Sequence, residues 1–260
     1  MISMASLFLD QSRRPAPVWA KVLTGAALLA VFSLVCWTVL SSSVRSAEIL
    51  QNYRQVFIHG WFLTVGISSA ALVLSIVIGG IAALGKQSDV IIIRYIATIY
   101  IEIVRGMPFL ALILVLWFGI APIVHLENRL VVGVLALSLF SGAYLAEMIR
   151  AGVESVGASQ RESARAIGLS HFQMSWYVIF PQALRHTLPA LTGQFASLIK
   201  DSSLLSIIGL SEFTFSAQQV FNATYSTMES FLPLAVGYLI LTLPVSFGTK
   251  KLETTLRYET

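Results

Sequence analysis

Five stretches of this chain carry no Asp, Glu, Lys or Arg: residues 22–40, 60–85, 106–124, 130–146 and 230–249. Each is long enough, or nearly so, for a helix to cross about 30 Å of hydrocarbon. In that medium the backbone has to satisfy its own hydrogen bonds, which leaves helices and closed barrels. The runs lack the alternation that barrel strands need, so they predict an all-α polytopic membrane protein. Charged residues make up 12% of the chain and hydrophobic ones 56%, whereas soluble domains average about 25% charged.

Taken in order, residues 1–18 form a short head with Arg13 and Arg14. Residues 19–41 hold the first uncharged run. It exceeds a signal-peptide core, and Ser41-Ser42-Ser43 offers no A-x-A cleavage pattern, so it reads as a retained N-terminal span. Residues 41–57 suggest a short amphipathic segment, with Ile49, Tyr53, Val56 and Phe57 near helical spacing. Gly79, Gly80 and Gly85 close the next span. They either let two helices approach closely or mark fraying ahead of the 86–89 turn. Asp89 is the expected N-cap of a helix carrying Arg94, Glu102 and Arg105. Pro108 lacks an amide proton and restricts Met107, which predicts a break at 105–108.

The 130–146 span leads into a polar region, 151–185. Beyond it, Lys200-Asp201-Ser202-Ser203 interrupts an apolar stretch from 187 to 210. Charges at that depth require pairing or water, as in a broken or re-entrant segment lining a pathway. Residues 211–229 form an outer segment, with Glu212, Gln218 and Gln219 expected at the outer face, and 230–249 is the last span. Six spans with the head inside place twelve Lys and Arg side chains at or near the inner surface, against Arg45, Arg54 and Arg129 outside. That bias puts both termini in the cytoplasm.

The polar region has regular internal chemistry. Residues 162–166 favour a helix, Gly168 permits a left-handed exit, and a second helical run from 171 to 180 is expected to end or kink at Pro181. Trp176 in this run is expected to pack against a span. The spacing Glu162-Ser163-Ala164, three residues, Gly168, nine residues, Val178-Ile179-Phe180-Pro181 resembles the cytoplasmic loop of ABC importer permease subunits. The family form is Glu-Ala-Ala, three residues, Gly, nine residues, Ile-x-Leu-Pro. Ser163, Val178 and Phe180 depart from it mildly. Arg105-Gly106-Met107-Pro108 is similar to the Arg-Gly-Thr-Pro signature of polar amino-acid permeases, and Lys200–Leu204 to the family's KDTSL. Asn222-Ala223-Thr224-Tyr225 looks like its Asn-Ala-Ala-Thr-Tyr stretch.

The resemblance implies a type I ABC importer permease fold: a five-helix core over residues 50–257, with 19–41 as an additional N-terminal span. It implies that Glu162, Ser163, Ala164, Gly168 and Pro181 serve a coupling helix docked in a separate ATPase subunit. The expected partners are two ABC ATPases, which bind ATP and Mg, a second permease subunit, identical or homologous, and a periplasmic or lipid-anchored substrate-binding protein. A polar amino acid or derivative would be the cargo and lipid the surroundings, in a bacterial cytoplasmic (inner) membrane. The chain itself holds no P-loop, no HExxH spacing and one cysteine, Cys36; no cofactor and no nucleic acid are expected. Arg105 holds the kink, meets a lipid phosphate or pairs with Glu102, while Met107 and Pro108 shape the same break. Glu147 lines the cavity or caps its span. Lys200 and Asp201 neutralise each other and cap the break, or face a zwitterionic substrate, with Ser202 and Ser203 completing helix-end hydrogen bonds. The main rival is an ion-coupled secondary transporter that uses these intramembrane charges.

Overall fold

The computed structural model describes residues 44–256 continuously and scattered positions between 22 and 37. Head 1–18 and most of the 19–41 span lie outside the described residues; the positions described there, such as Leu23, Val31 and Trp37, are helical and exposed. The chain divides into units Met1–Asn52 and Tyr53–Thr260, and the account below concerns the second.

Helix α1 spans Val44–Lys86 as one element of 43 residues. From residue 44 the amphipathic segment expected at 41–57 is the start of this helix, with Ile49 and Phe57 buried and Tyr53 and Val56 half-buried; no proline interrupts the stretch, and its charged residues are good helix formers. A turn leads to α2, Ile91–Gly106. Its N-cap is Val90, not Asp89, and the Ser88 hydroxyl accepts the Val90 N–H at 3.1 Å. Met107 and Pro108 then adopt extended backbone, with ψ of 151° and 141°, and the chain bends by 113° into α3, Phe109–Ile123. The break is therefore where the proline demands it. Helix α3 contains a π-helical turn, Val115–Ile120.

Helix α4, Arg129–Glu154, is capped by Asn128, whose side chain accepts the Leu130 and Val131 N–H groups at 2.9 and 3.3 Å. After the short α5, Ala158–Ala166, a capping box between Ser170 and Gln173 starts a new helix at His171. It passes through a π turn, Met174–Ile179, into α6, Phe180–Asp201. Pro181 does not end the helix as expected. It sits in the first turn of α6, and the Phe180 N–H bonds five residues back to Ser175, so the wider turn leads directly into the residue that has no N–H to offer. A 3₁₀ turn, Ser202–Ile208, takes over where the Lys200–Ser203 interruption falls. Helices α7, Phe213–Thr224, and α8, Thr227–Leu256, complete the fold. Among the described residues α1, α4 and α8 are long and apolar enough to cross a membrane, and the bent pair α2–α3 makes a fourth.

Helix α4 is the centre. Ala136, Leu137 and Ala143 on it are buried with Ile67 and Ala71 of α1, Val104 of α2, Phe109, Leu112 and Ile113 of α3, and Leu198 of α6. Tyr100 donates to the Leu139 carbonyl at 2.6 Å and Gln194 to the Ser141 hydroxyl at 2.9 Å, while the buried Ser68 hydroxyl of α1 has no hydrogen-bond partner. Small residues set the closest approach. A Cβ added to Gly79 would stand 2.8 Å from both the Gly142 oxygen and the Leu145 Cβ, and one on Gly142 would stand 2.9 Å from Ile78. A Cβ on the adjacent Gly80 meets nothing within 4 Å. Close packing, not fraying, is therefore the role of Gly79. Thermal unfolding in detergent should find Gly79→Ala destabilised by about 1–3 kcal/mol, the usual range for overpacking. Gly80→Ala should be neutral or stabilised by up to about 1 kcal/mol through helix propensity.

Candidate functional site

Two groups of sequence-singled residues lie at the same end of the bundle, where α1 and α4 finish and α5 begins. The first is α5 itself. Ala164 is buried against Val156, Met174, Ile179 and Ala183, so its small side chain seats α5 on its own chain. Glu162, Ser163, Ala166 and Gly168 are exposed. The helix ends with the Leu169 N–H on the Ala164 carbonyl at 3.1 Å and the Gly168 N–H on that of Arg165 at 3.0 Å, a Schellman closure. Gly168 has φ of +83° and open space around it; backbone conformation, not crowding within the chain, is what demands glycine here. Glu162 pairs with no cation among the described residues, and Pro181 is exposed nearby on α6.

The second group is an ion-pair hub centred on Glu147. Its carboxylate, 16% exposed, meets Lys86 at 2.6 Å, Arg150 at 3.0 Å and Arg105 at 3.6 Å. Lys86 also lies 3.9 Å from Glu102, and Arg150 is 2.5 Å from Glu154. The ends of α1, α2 and α4 are thus tied through one carboxylate. Of the alternatives for Arg105, the pair with Glu102 does not form. Arg105 turns instead to Glu147 and to the Tyr144 ring, 5.6 Å from its centroid. Lys86, with no role assigned from sequence, is the link to α1. Arg161 of α5 donates to the Val153 carbonyl of α4 at 2.7 Å, and a cavity of about 430 Å³ opens between Lys86, Arg150, Glu154 and Arg161. Met107, beside the break, packs against the central core, and Pro108 provides the extended residue before α3.

Lys200 and Asp201 sit at the far end of α6. They form no direct ion pair, Lys200 being exposed and Asp201 half-buried. Buried Ser202 donates to the Ile199 carbonyl at 2.7 Å, and the Ser203 carbonyl accepts from Ser206 at 2.8 Å, so both serines close the helix end. Close by in sequence, Glu212 departs from expectation. It is fully buried, whereas an outward-facing docking side chain was expected; Gln218 is half-buried and Gln219 exposed. Glu212 caps α7 by accepting the Thr214 and Phe215 N–H groups, both at 2.8 Å. Tyr238 of α8 donates to it at 3.1 Å and Thr64 of α1 at 3.4 Å. Four neutral donors from three helices replace the water a carboxylate would otherwise hold.

Residues 75–258 match the family described as binding-protein-dependent transport system inner membrane component. The chain belongs to this family. Such a component is a permease of an ABC transporter, and the helical body described above is the ABC importer permease fold. The chain is 34% identical over 201 residues to the glutamine transport system permease protein GlnP of Escherichia coli K12, covering 76% of this chain and 91% of that one. It is 31% identical over 208 residues to the probable glutamine ABC transporter permease protein GlnM of Bacillus subtilis 168, covering 80% and 96%. The crystal structure of an amino acid ABC transporter with histidines superposes with a TM-score of 0.76 at 33% identity, over 79% of this chain and 96% of that one. The inward-facing MetNI methionine ABC transporter shares the fold, with a TM-score of 0.67 at 18% identity, over 79% and 98%.

Within this permease Glu212 lies in a connection, outside the helices that are apolar enough to span. Burial pushes its carboxyl up to about 7, with hydrogen bonds from the Thr214 and Phe215 N–H groups, Tyr238 and the Thr214 side chain opposing that rise. The ordinary value is 4.5, so between 4.5 and 7 the folded state holds the proton more tightly than the unfolded one. Stability from this group is full below about 4.5 and declines as the pH rises towards 7. Across that window, thermal unfolding in detergent should show wild type losing roughly 2–3 kcal/mol at most relative to Glu212→Gln. Parallel profiles for the two proteins would refute this.

Proposed function

We propose that the chain is the transmembrane permease subunit of an ATP-driven importer for polar amino acids. With a second permease subunit, identical or homologous, it forms the alternating-access pathway in a bacterial cytoplasmic membrane, both termini facing the cytoplasm. A periplasmic or lipid-anchored binding protein delivers the cargo. Two ABC ATPases bind ATP and Mg; this chain performs no covalent chemistry. Residues 50–257 are the permease domain, with 151–185 as its coupling region and 19–41 as an extra span. The names of the glutamine permeases matched above support a polar amino acid, glutamine first among them.

The observation that carries this reading is the seating of α5. An ATPase pressing on Glu162, Ser163 and Gly168 displaces Ala164, which is packed on Met174 and Ile179 of the π turn, on Ala183 of α6 and on Val156 just past α4. Pro181 keeps that junction in a defined geometry. The same push reaches α4 through Arg161 and Val153, and from there the Glu147 hub passes it to α1 and to the break at Arg105, Met107 and Pro108. At the far end Lys200, Asp201, Ser202 and Ser203 occupy the change from α6 to 3₁₀ turn, a place suited to gating because helix-end bonds re-form readily there.

Substrate-stimulated ATP hydrolysis in proteoliposomes tests the proposal, using the chain co-purified with its ATPase and binding protein and a panel of amino acids. Glutamine or another polar amino acid should stimulate hydrolysis. Gly168→Arg should reduce the rate to the basal level while the complex still assembles. Gly168→Asn, which tolerates left-handed backbone, should retain most of the stimulation. Transport that follows an ion gradient, with no association to any ATPase, would overturn the reading.

A further inference from the structure

The cavity of about 430 Å³ beside the Glu147 hub opens where α1 ends at Lys86 and α4 ends at Glu154, with Gln87, Arg150, Val153 and Arg161 completing its lining. Helices α1 and α4 are both long and apolar enough to span, so the cavity lies at the level where spans leave the hydrocarbon. Its cations come from three helices: Lys86 from α1, Arg150 from α4 and Arg161 from α5. Glu154 is the single carboxylate of the lining.

These charges do not cancel. Lys86, Arg105 and Arg150 are matched within the hub by Glu102, Glu147 and Glu154. Arg161 is a further cation, half-buried, that donates to the neutral Val153 carbonyl. Among the described residues no carboxylate stands within ion-pair distance of it. A guanidinium carries five N–H donors in a planar fork, so most of this fork is left for another acceptor. Exposed Arg165, one turn along α5, adds charge of the same sign, while Asp89 and Glu162 are exposed and outside the lining. The Lys86 and Arg150 side chains are only 22% and 34% exposed, so salt screens them less than solvated charges. Glu154 is the loosest member. Its side chain is 61% exposed and pairs with Arg150, so it can turn out to water and give up its place to a stronger anion.

Cations converging from three helices suit several oxygens on one centre. A phosphate group offers them, and Arg forks bind it bidentately while Lys binds it as a point charge. A carboxylate has two oxygens for the three cations.

We propose that this cavity is an anion site for a phosphate group, that of an anionic lipid headgroup or of a free phosphate, which takes the place of Glu154 on Arg150 and bridges Lys86 of α1 and Arg161 of α5. The bound group ties α5 to the ends of two spans, so its occupancy sets how freely α5 moves against the hub. The site stands whether or not α5 meets an ATPase, and its test needs none.

That test is thermal unfolding of the full chain in uncharged detergent, with inorganic phosphate titrated at constant ionic strength. Wild type should show a saturable rise in melting temperature, as a ligand that binds the folded state produces. Glu154→Gln removes the competing carboxylate and should reach half-saturation at about three- to fivefold lower phosphate. Arg161→Gln should lose the saturable rise. Should Arg161→Gln fold poorly, Glu154→Gln still decides, because damage to a fold does not tighten binding. Nanodiscs of phosphatidylcholine with and without phosphatidylglycerol separate the sources. A rise with phosphatidylglycerol that Arg161→Gln abolishes assigns the site to lipid; a phosphate response that persists beside phosphatidylglycerol assigns it to the free ion. A response equal in all three proteins is general exclusion of salt from the surface and overturns the site. So does an unchanged half-saturation in Glu154→Gln, or no saturable rise with either source.

Discussion

The fold depends on how closely α1 and α4 approach at Gly79 and Gly142. In a bilayer there is no water to expel between helices, so association rests on packing and on polar contacts. The absence of side chains at these two positions brings one backbone against the other and permits the buried polar contacts around them. Ser138 donates to the Ala71 carbonyl of α1 at 3.4 Å, and Tyr100 of α2 reaches the Leu139 carbonyl of α4. A Cβ on Gly142 would stand 3.0 Å from the Tyr100 hydroxyl, so the missing side chain is what admits it to the α4 backbone. Wider spacing would leave the Tyr100 hydroxyl without that partner, at about 1–3 kcal/mol, whereas Ser138 would keep the Val134 carbonyl of its own helix, 2.6 Å away.

The elements legible from sequence are those whose cause is local. The break at Met107 and Pro108 follows from proline sterics, and the turn at Gly168 from its left-handed backbone. The charge-free runs locate α4 and α8 and the apolar part of α1. What the sequence conceals depends on residues brought together from far apart. Glu102 looked like a partner for Arg105 because the two are three residues apart, but Lys86 and Glu147 arrive from other helices and take one each. Glu212 looked like a surface group because an isolated buried carboxylate is so unfavourable. Its donors Thr64 and Tyr238 lie far from it along the chain, and no local pattern announces them. The short amphipathic segment expected at 41–57 runs on into the apolar part of α1, because with no proline present helix propagation carries through its polar residues.

Trp176 shows a third kind of concealment. It is 54% exposed, where packing against a span was expected, and its ring stacks with those of Phe172 and Phe180. These neighbours at four-residue spacing are aromatic, but an α-helix rotates such positions by about 40° per step. The π turn alters that rotation across Met174–Ile179, and π turns have no dependable sequence signal. The same turn accommodates Pro181 and so joins two facts that look unrelated in the sequence: an aromatic face and a proline that does not stop its helix.

The two kinds of contact around α4 also differ in what they permit. At Gly79 and Gly142 any sliding of α1 past α4 drives side chains into backbone, so that contact has one register. The hub, a turn or two further along the same helices, contains three cations, Lys86, Arg105 and Arg150, and three carboxylates, Glu102, Glu147 and Glu154. Removing one partner from a desolvated pair is unfavourable by about 3–5 kcal/mol because it strands a charge, and rather less at this partly exposed site. Exchanging partners within a balanced set of six strands none. The helix ends next to α5 are therefore held by interactions that tolerate rearrangement, while the middle of the bundle is held by one that does not. A displacement delivered at α5 meets the yielding contacts first, and the rigid centre sets the line about which the ends can move.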